Sequence, residues 1–200
     1  MEQLFLVQVG RTVCEEEDRL DSLGGMPLCE EEIILAEGIA GDLESKSVTA
    51  IYTPSAVAER EVAGKIASVV SVPVHEDNGL SEIDYGLWQG LRIEELKRRQ
   101  PRLQKQWMES PSGVRPPGGE TLLEAQDRVW DAVSDIVSKN TGSLPVLVMR
   151  PVVLGLLKCR VAGDHLDEIW SHVRREPGMD RMNVELTGEE LVLMEMKSHG

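Results

Sequence analysis

Leu80-Ser81-Glu82-Ile83-Asp84-Tyr85-Gly86-Leu87-Trp88-Gln89-Gly90-Leu91 sits in a region, 75–91, that reads as loop, with Asn78-Gly79 as a turn signal ahead of it. Tyr85 and Trp88 are interleaved with Gly86 and Gly90, and Glu82 and Asp84 add two carboxylates. A loop of this make-up is not a generic connector. On its N-terminal side, Leu4-Phe5-Leu6-Val7 is a strand-like run ending at Gly10. An acidic loop, Glu15 to Asp18, follows. Ile33, Ile34, Ala36, Ile39, Ala40 and Leu43 then recur at helical spacing behind Glu30-Glu31-Glu32, acids that suit a helix N-terminus. Ala50 to Thr53 reads as a strand, Pro54 opens a helix carrying Val57, Ala58, Val62, Ile66 and Ala67, and Val70 to Val74 reads as a third strand.

On the C-terminal side, short helices are expected over 92–99 and 101–109, and Pro111 to Gly119 as a structured loop or linker. Glu120 to Lys139 is the longest helical pattern, with Leu123, Val129, Trp130, Val133 and Val137 as its apolar face. Val146 to Met149 is a central strand candidate, Val152 to Leu157 a buried helix, and 182–186 and 191–196 two final strands. Strands alternating with helices predict a three-layer α/β/α sandwich with a mostly parallel central sheet. Residues 1–200 form one expected domain, with 75–118 as a loop and helical insertion over a pocket at the strand C-terminal ends.

The 200 residues carry a net charge of −14, with 41% hydrophobic and 28% charged residues, which is an ordinary globular balance and excludes disorder for the whole chain. A domain of this size buries roughly 70% of its unfolded surface without staples. So acidic a surface repels nucleic acid and anionic membranes, and is an awkward background for phosphorylated substrates. Cys14, Cys29 and Cys159 form no paired spacing, which fits a reduced, cytoplasmic setting. No apolar run is long enough to span a membrane, and Met1-Glu2-Gln3 lacks the charged start of a signal peptide.

Several candidate chemistries fail on spacing. Cys14 and Arg19 are one residue short of a cysteine-phosphatase loop, and the intervening glutamates would raise the thiol pKa. The acidic clusters at 15–18 and 30–32 lack a calcium-loop pattern. The 113–119 loop lacks the Lys-Ser/Thr of a phosphate-binding loop, and His75, His165, His172 and His199 have no metal-ligand spacing. No metal and no cofactor is expected.

The 80–91 stretch resembles the Leu-x-Glu-x-Asp-Phe/Tyr-Gly-x-Trp-Glu-Gly-Leu signature of the histidine phosphatase superfamily, the phosphoglycerate mutase-like enzymes. Arg115-Pro116-Pro117-Gly118-Gly119-Glu120 with Arg128-Val129 is similar to the family's Pro-x-Gly-Glu segment opening the long helix. Arg19-Leu20, Pro27-Leu28, Ile51-Tyr52-Thr53-Pro54 and Val146-Leu147-Val148 follow in the family's order, so that the resemblance covers residues 4 to 196. It implies phosphoryl transfer through a nucleophilic histidine, with arginines and a second histidine around the phosphoryl oxygens and a carboxylic acid at the leaving group.

The site motifs depart from that pattern. Where the family has Arg-His-Gly-Glu-Thr, this chain has Gln8-Val9-Gly10-Arg11-Thr12, so the nucleophile position is Val9 and the first arginine position is Gln8. Glu15 stands at the usual asparagine, Val57 at the second arginine, and Arg150 at the second histidine. Glu82, the family's acid, is the catalytic residue retained. A shifted alignment does not restore the histidines, because none occurs in 1–74 or 76–164. Losing one member of a catalytic unit that acts together already costs about 10⁴–10⁶-fold in rate. The resemblance therefore implies a pseudoenzyme that binds or scaffolds an unknown protein or small anionic ligand, with homodimerisation open and an apolar patch near Trp107 or Trp170 as its sign. The alternative is a residual or altered hydrolase of a small anionic substrate using Glu82 and Arg150. Arg11, Arg60 and Arg150 are the candidate anion-binding groups; Arg150, if buried, is expected to pair with Glu82 or Glu15.

Overall fold

A computed structural model of the chain describes residues 2–21, 24–187 and 190–195. Its strands are β1 (Glu2–Gln8), β2 (Ala50–Thr53), β3 (Val74–Glu76), β4 (Pro145–Met149), β5 (Gly178–Thr187) and β6 (Glu190–Glu195). They form one sheet in the order β3-β2-β4-β1-β5-β6. The first four strands of that order are parallel, and β5 and β6 are antiparallel. The helices are α1 (Val13–Glu16), α2 (Glu30–Leu43), α3 (Val57–Val70), α4 (Ile93–Arg99), α5 (Pro101–Glu109), α6 (Leu122–Lys139), α7 (Pro151–Ala162) and α8 (Ile169–His172).

Side chains of β1 alternate between two apolar layers, as a pleated strand requires. Leu4 and Leu6 pack with Val129, Val133 and Ile136 of α6 and Val153, Leu154 and Leu157 of α7. Phe5 and Val7 pack with Ala36, Ala40 and Leu43 of α2 and Ala58, Val62 and Ile66 of α3. Each such fully buried aliphatic side chain stabilises the fold by about 1.5–3 kcal/mol. The result is the expected helix–sheet–helix sandwich.

The third strand lies later than the sequence pattern suggests. Val69 and Val70 continue α3, Ser71 ends it in the left-handed conformation at φ 57°, and the strand begins only at Val74, after Pro73. Val70 to Val74 looks like a strand because it is rich in β-branched residues, but α3 packing overrides that propensity. The hairpin residues 188–189, and the end of the strand expected to reach 196, lie outside the described residues, as does His199.

Between β3 and α6 the chain builds a third apolar cluster from Ile83, Tyr85, Trp88, Leu96, Trp107 and Val114, closed by Leu122, Val152, Leu156 and Ile169. Trp107 meets Trp88 edge-on at 5.6 Å and Trp170 at 5.5 Å, and is only 5% exposed. The indole N–H of Trp170 donates to the Trp107 carbonyl at 3.0 Å. Trp107 is therefore part of the core, and Trp170, half-buried, packs against it.

Gly86 and Gly119 explain the two loop motifs. A Cβ on Gly86 would lie 2.4 Å from the backbone of Gly119 and Pro117, and one on Gly119 would lie 2.2 Å from the Asp84 carbonyl. Leu87 N–H donates to Pro117 O, and Glu120 N–H to Asp84 O. Arg128 secures the same loop from α6, donating to the carbonyls of Gly79 and Ser81 at 2.9 Å while pairing with Glu120 at 2.6 Å. Backbone on backbone, the two segments brace Glu82 beneath the strand ends.

The chain leaves β1 over the α2–α3 face and leaves β4 over the α7 face. Adjacent parallel strands whose connections diverge in this way open a crevice above their C-terminal ends. Gln8, Val9 and Arg150 all lie there.

Candidate functional site

Arg150 follows β4 directly and caps α7 in an extended conformation, which projects its side chain into the crevice with 1% exposure. Nη2 is 2.6 Å from Glu15 Oε1, and Nη1 is 3.3 Å from Asp21 Oδ2. Nη2 also donates to the Asp21 carbonyl at 3.2 Å, and Nε has no partner. The expected pair with Glu15 is present; the other partner is Asp21 and not Glu82.

Asp21 is 2% exposed and well supported. Thr12 Oγ1 donates to its Oδ2 at 2.8 Å and Gln89 Nε2 to its Oδ1 at 3.1 Å. Thr12 also begins the short helix α1 in a reciprocal capping arrangement with Glu15, which fixes Glu15 against Arg150. Thus Thr12, matched to the family by sequence, here orders two carboxylates.

Glu82 is buried and performs a different task. Its carboxylate accepts the N–H groups of Val152 at 2.9 Å and Val153 at 3.0 Å, capping α7, whose own N-cap residue supplies no side-chain bond. It also accepts the Ile83 N–H at 2.7 Å. Burial pushes its pKa up to about 7, against the pull of the Arg150 charge and of these N–H groups. Glu59 of α3 is 1% exposed with Oε2 unpartnered, and burial raises its pKa while Arg150 opposes the rise. Burial disfavours the charge of Arg150, but Glu15, Glu82, Glu59 and Asp21 together outweigh it and raise its pKa. Four carboxylates against one guanidinium leave the crevice anionic unless three of the four are protonated.

The remaining predicted residues make contacts within the fold. Gln8 is 1% exposed, and its Nε2 donates to the carbonyls of Arg174 at 3.1 Å and Glu176 at 2.7 Å, tying the segment before β5 to the sheet. Val9 is 1% exposed and belongs to the apolar layer with α2 and α3. Gly10 has no room for a side chain, because a Cβ would meet Glu32 Oε2 at 2.2 Å. Val57 is the first residue of α3, and its N–H donates to the Gly24 carbonyl at 2.6 Å. Arg11 pairs with Glu32 at 3.0 Å, and exposed Arg60 lies 3.6 Å from Glu76. All three candidate anion-binding arginines thus already have carboxylate neighbours.

Other nucleophiles are quiet. Burial raises the thiol pKa of Cys14 and Cys159, and lifts that of Cys29 to about 11, so thiolate is scarce at neutral pH. His75 stacks on Tyr52 at 5.1 Å, and His172 pairs with Asp164 on the surface. Among the described residues there is no cluster of metal-ligating side chains. No helix there is long and apolar enough to cross a membrane.

Asp21 and Glu59 are the participants that sequence reading missed. Glu59 left a signal: it stands three residues before Val62 and four before Ala63 on the buried face of α3, where a charge is out of place. Asp21 left none, because it lies in an irregular loop.

The pattern of the histidine phosphatase superfamily (branch 1) matches residues 4–197. The chain belongs to that superfamily. It is 26% identical over 171 residues to phosphoserine phosphatase 1 of Hydrogenobacter thermophilus, covering 86% of this chain and 81% of that one. It is 28% identical over 163 residues to the probable phosphoglycerate mutase GpmB of Salmonella choleraesuis, covering 82% and 76%. YhfR of Bacillus stearothermophilus superposes with a TM-score of 0.87 at 26% identity, over 96% of this chain and 95% of that one. Within a histidine phosphatase fold, the crevice above β1 and β4 is where the chemistry is sought, and here it is filled by Arg150 and its carboxylates.

Proposed function

We propose that this histidine phosphatase superfamily member does not transfer phosphoryl groups, and acts by binding or scaffolding. One observation carries the reading: Arg150, the cation at the centre of the crevice, is already held by Glu15 and Asp21. Phosphoryl transfer through a covalent intermediate needs a nucleophile, free donors for the phosphoryl oxygens and an acid for the leaving group. Val9 supplies no nucleophile, Gln8 gives its amide to backbone carbonyls, and Glu82 caps α7. A phosphate dianion entering the crevice would meet uncompensated carboxylates. At about 4 Å in a partly buried site, each like-charge pair opposes binding by about 4 kcal/mol. An enzyme using only Glu82 and Arg150 would first have to break both of their existing bonding arrangements. The free thiols Cys14, Cys29 and Cys159 support a reducing, cytoplasmic setting.

The test is hydrolysis of phosphoserine, 3-phosphoglycerate and para-nitrophenyl phosphate by purified protein. The expected rate equals that of the Glu82→Gln variant and of buffer. Turnover that follows the protein through purification and falls in Glu82→Gln would overturn the reading.

A further inference from the structure

Beside the filled crevice lies an open cavity of about 720 Å³, lined by α1, the start of α2, the 18–21 loop, Ile93, the start of α7 and residues 173–177. We propose that this cavity binds an organic cation: an ammonium or guanidinium group carried on an apolar body. The inference rests on the reading that the crevice no longer handles phosphate, and it names the class of ligand that replaces it.

The arginines on the wall are largely committed. Arg11 is held by Glu32, Arg19 by Glu17 and the Gly90 carbonyl, and Arg174 by Asp180, which Lys158 shares. Arg175 is the wall cation that makes no ion pair among the described residues. Against it stand Glu16, Asp18 and Glu176, three exposed wall acids that also make no ion pair among the described residues. The long-range field of the whole chain, at −14, has the same sign.

A buried group points the same way. Glu32 lines the cavity at 5% exposure; its Oε1 accepts from Arg11, but Oε2 has no donor. A buried carboxylate oxygen without a donor is unfavourable, and this one lies against Gly10 on the same wall, so a ligand donor that reaches it is favoured. An anion would face the same oxygen repulsively.

The apolar body is required by the other walls. Leu20, Leu35, Ile93, Val152, Val173 and Pro177 line the cavity, and Leu35 and Ile93 are 49% and 38% exposed. The volume falls within the range of about 300–1,000 Å³ typical of sites for drug-sized ligands. Free amines and a Lys or Arg side chain flanked by apolar residues share this chemistry.

The experiment is isothermal titration of the full chain with 4-phenylbutylamine and with 4-phenylbutyrate, which have similar apolar bodies and opposite charges. The amine is expected to bind and the carboxylate not. Affinity should fall severalfold in about 1 M salt, where the screening length is roughly 3 Å. It should also fall severalfold in the Asp18→Asn/Glu176→Gln double variant, whose changes are confined to exposed side chains. Blocked Leu-Arg-Leu and Leu-Gln-Leu peptides form the second arm. Tighter binding of the arginine peptide than of the amine assigns the source to a protein segment, and the reverse assigns it to a free amine. Equal or better binding of phenylbutyrate or 3-phosphoglycerate, binding unaffected by the double variant, or no binding of either cation at millimolar concentration overturns the inference. The titration reads binding and the hydrolysis assay reads turnover: failure of the amine to bind leaves the inactive-phosphatase reading standing, and only turnover overturns that reading.

Discussion

Glu82 shows how its neighbours set what a buried carboxylate does. The sequence resemblance matches it to the acid of the family signature, and in the structure both of its oxygens are engaged by the first turn of α7. Its pKa is pushed up to about 7 from an ordinary 4.5, chiefly by burial, so the folded chain holds a proton that the unfolded chain releases. The stabilisation from that proton is fully present below about pH 4.5 and is lost as the pH rises through about 7. A shift of this size corresponds to about 3 kcal/mol. Glu59, also raised by burial, acts in the same direction. Urea denaturation at intervals from pH 5 to pH 8 should therefore show stability falling, and Glu82→Gln should flatten most of the slope. A Glu82→Gln profile as steep as the original would assign the slope to other groups. At this scale the sequence was a better guide to which residues meet at the crevice than to what each of them binds. Val9, Gln8 and Arg150 could be placed by motif, and the Arg150–Glu15 pair follows from the need of a buried cation for a partner. Asp21 could not be found, because only the fold of an irregular loop brings it to Arg150.

Among the elements, the two signature loops are held by close approach of backbone, and glycine is their condition. Gly86 has φ +50°, and its missing Cβ would lie 2.4 Å from Gly119 N and Pro117 O. Gly86→Ala must move backbone, since no flexible side chain stands there to yield. The expected loss is about 2 kcal/mol or more, in the range of strained backbone substitutions. Gly64 in α3 is the contrast: a Cβ there meets nothing within 4 Å, so Gly64→Ala should add about 1 kcal/mol from helix propensity. Urea midpoints followed by circular dichroism measure both, and a neutral Gly86→Ala would show that the 84–86 and 117–119 segments can part without cost. Helix and strand order was legible because the periodicities are clear and the loops carry recognisable residues. The third strand was not, because Val70 to Val74 satisfies strand propensity locally while the buried face of α3 claims Val70 and the αL cap at Ser71 delays the turn.

For the whole molecule, the inactive-phosphatase reading proposed above turns on whether the missing histidines alone would account for inactivity. The fold is intact: the sheet order, the crevice above β1 and β4 and the braced Glu82 are all present. On that reading, the charge of the crevice counts beside the motif residues. Replacing Gln8→Arg, Val9→His, Val57→Arg and Arg150→His together restores the family pattern on paper, but leaves Asp21 and Glu59 buried there, at 2% and 1% exposure. It also removes the guanidinium that both now face, and breaking a buried pair by removing one partner costs about 3–5 kcal/mol. Residue 57 lies in the first turn of α3, whereas Glu59 is the α3 side chain whose charge acts on Arg150. The four-substitution chain is therefore expected to be less stable and to gain no Tm from inorganic phosphate. Adding Asp21→Asn and Glu59→Ala should allow phosphate to bind, and phosphate at about a hundred times its Kd then stabilises by about 2.7 kcal/mol. Thermal shift in rising phosphate distinguishes the two chains. A phosphate-dependent rise already in the four-substitution chain would mean that the nucleophile and cradle positions alone decide phosphate binding, and that the carboxylates around residue 150 are incidental to it.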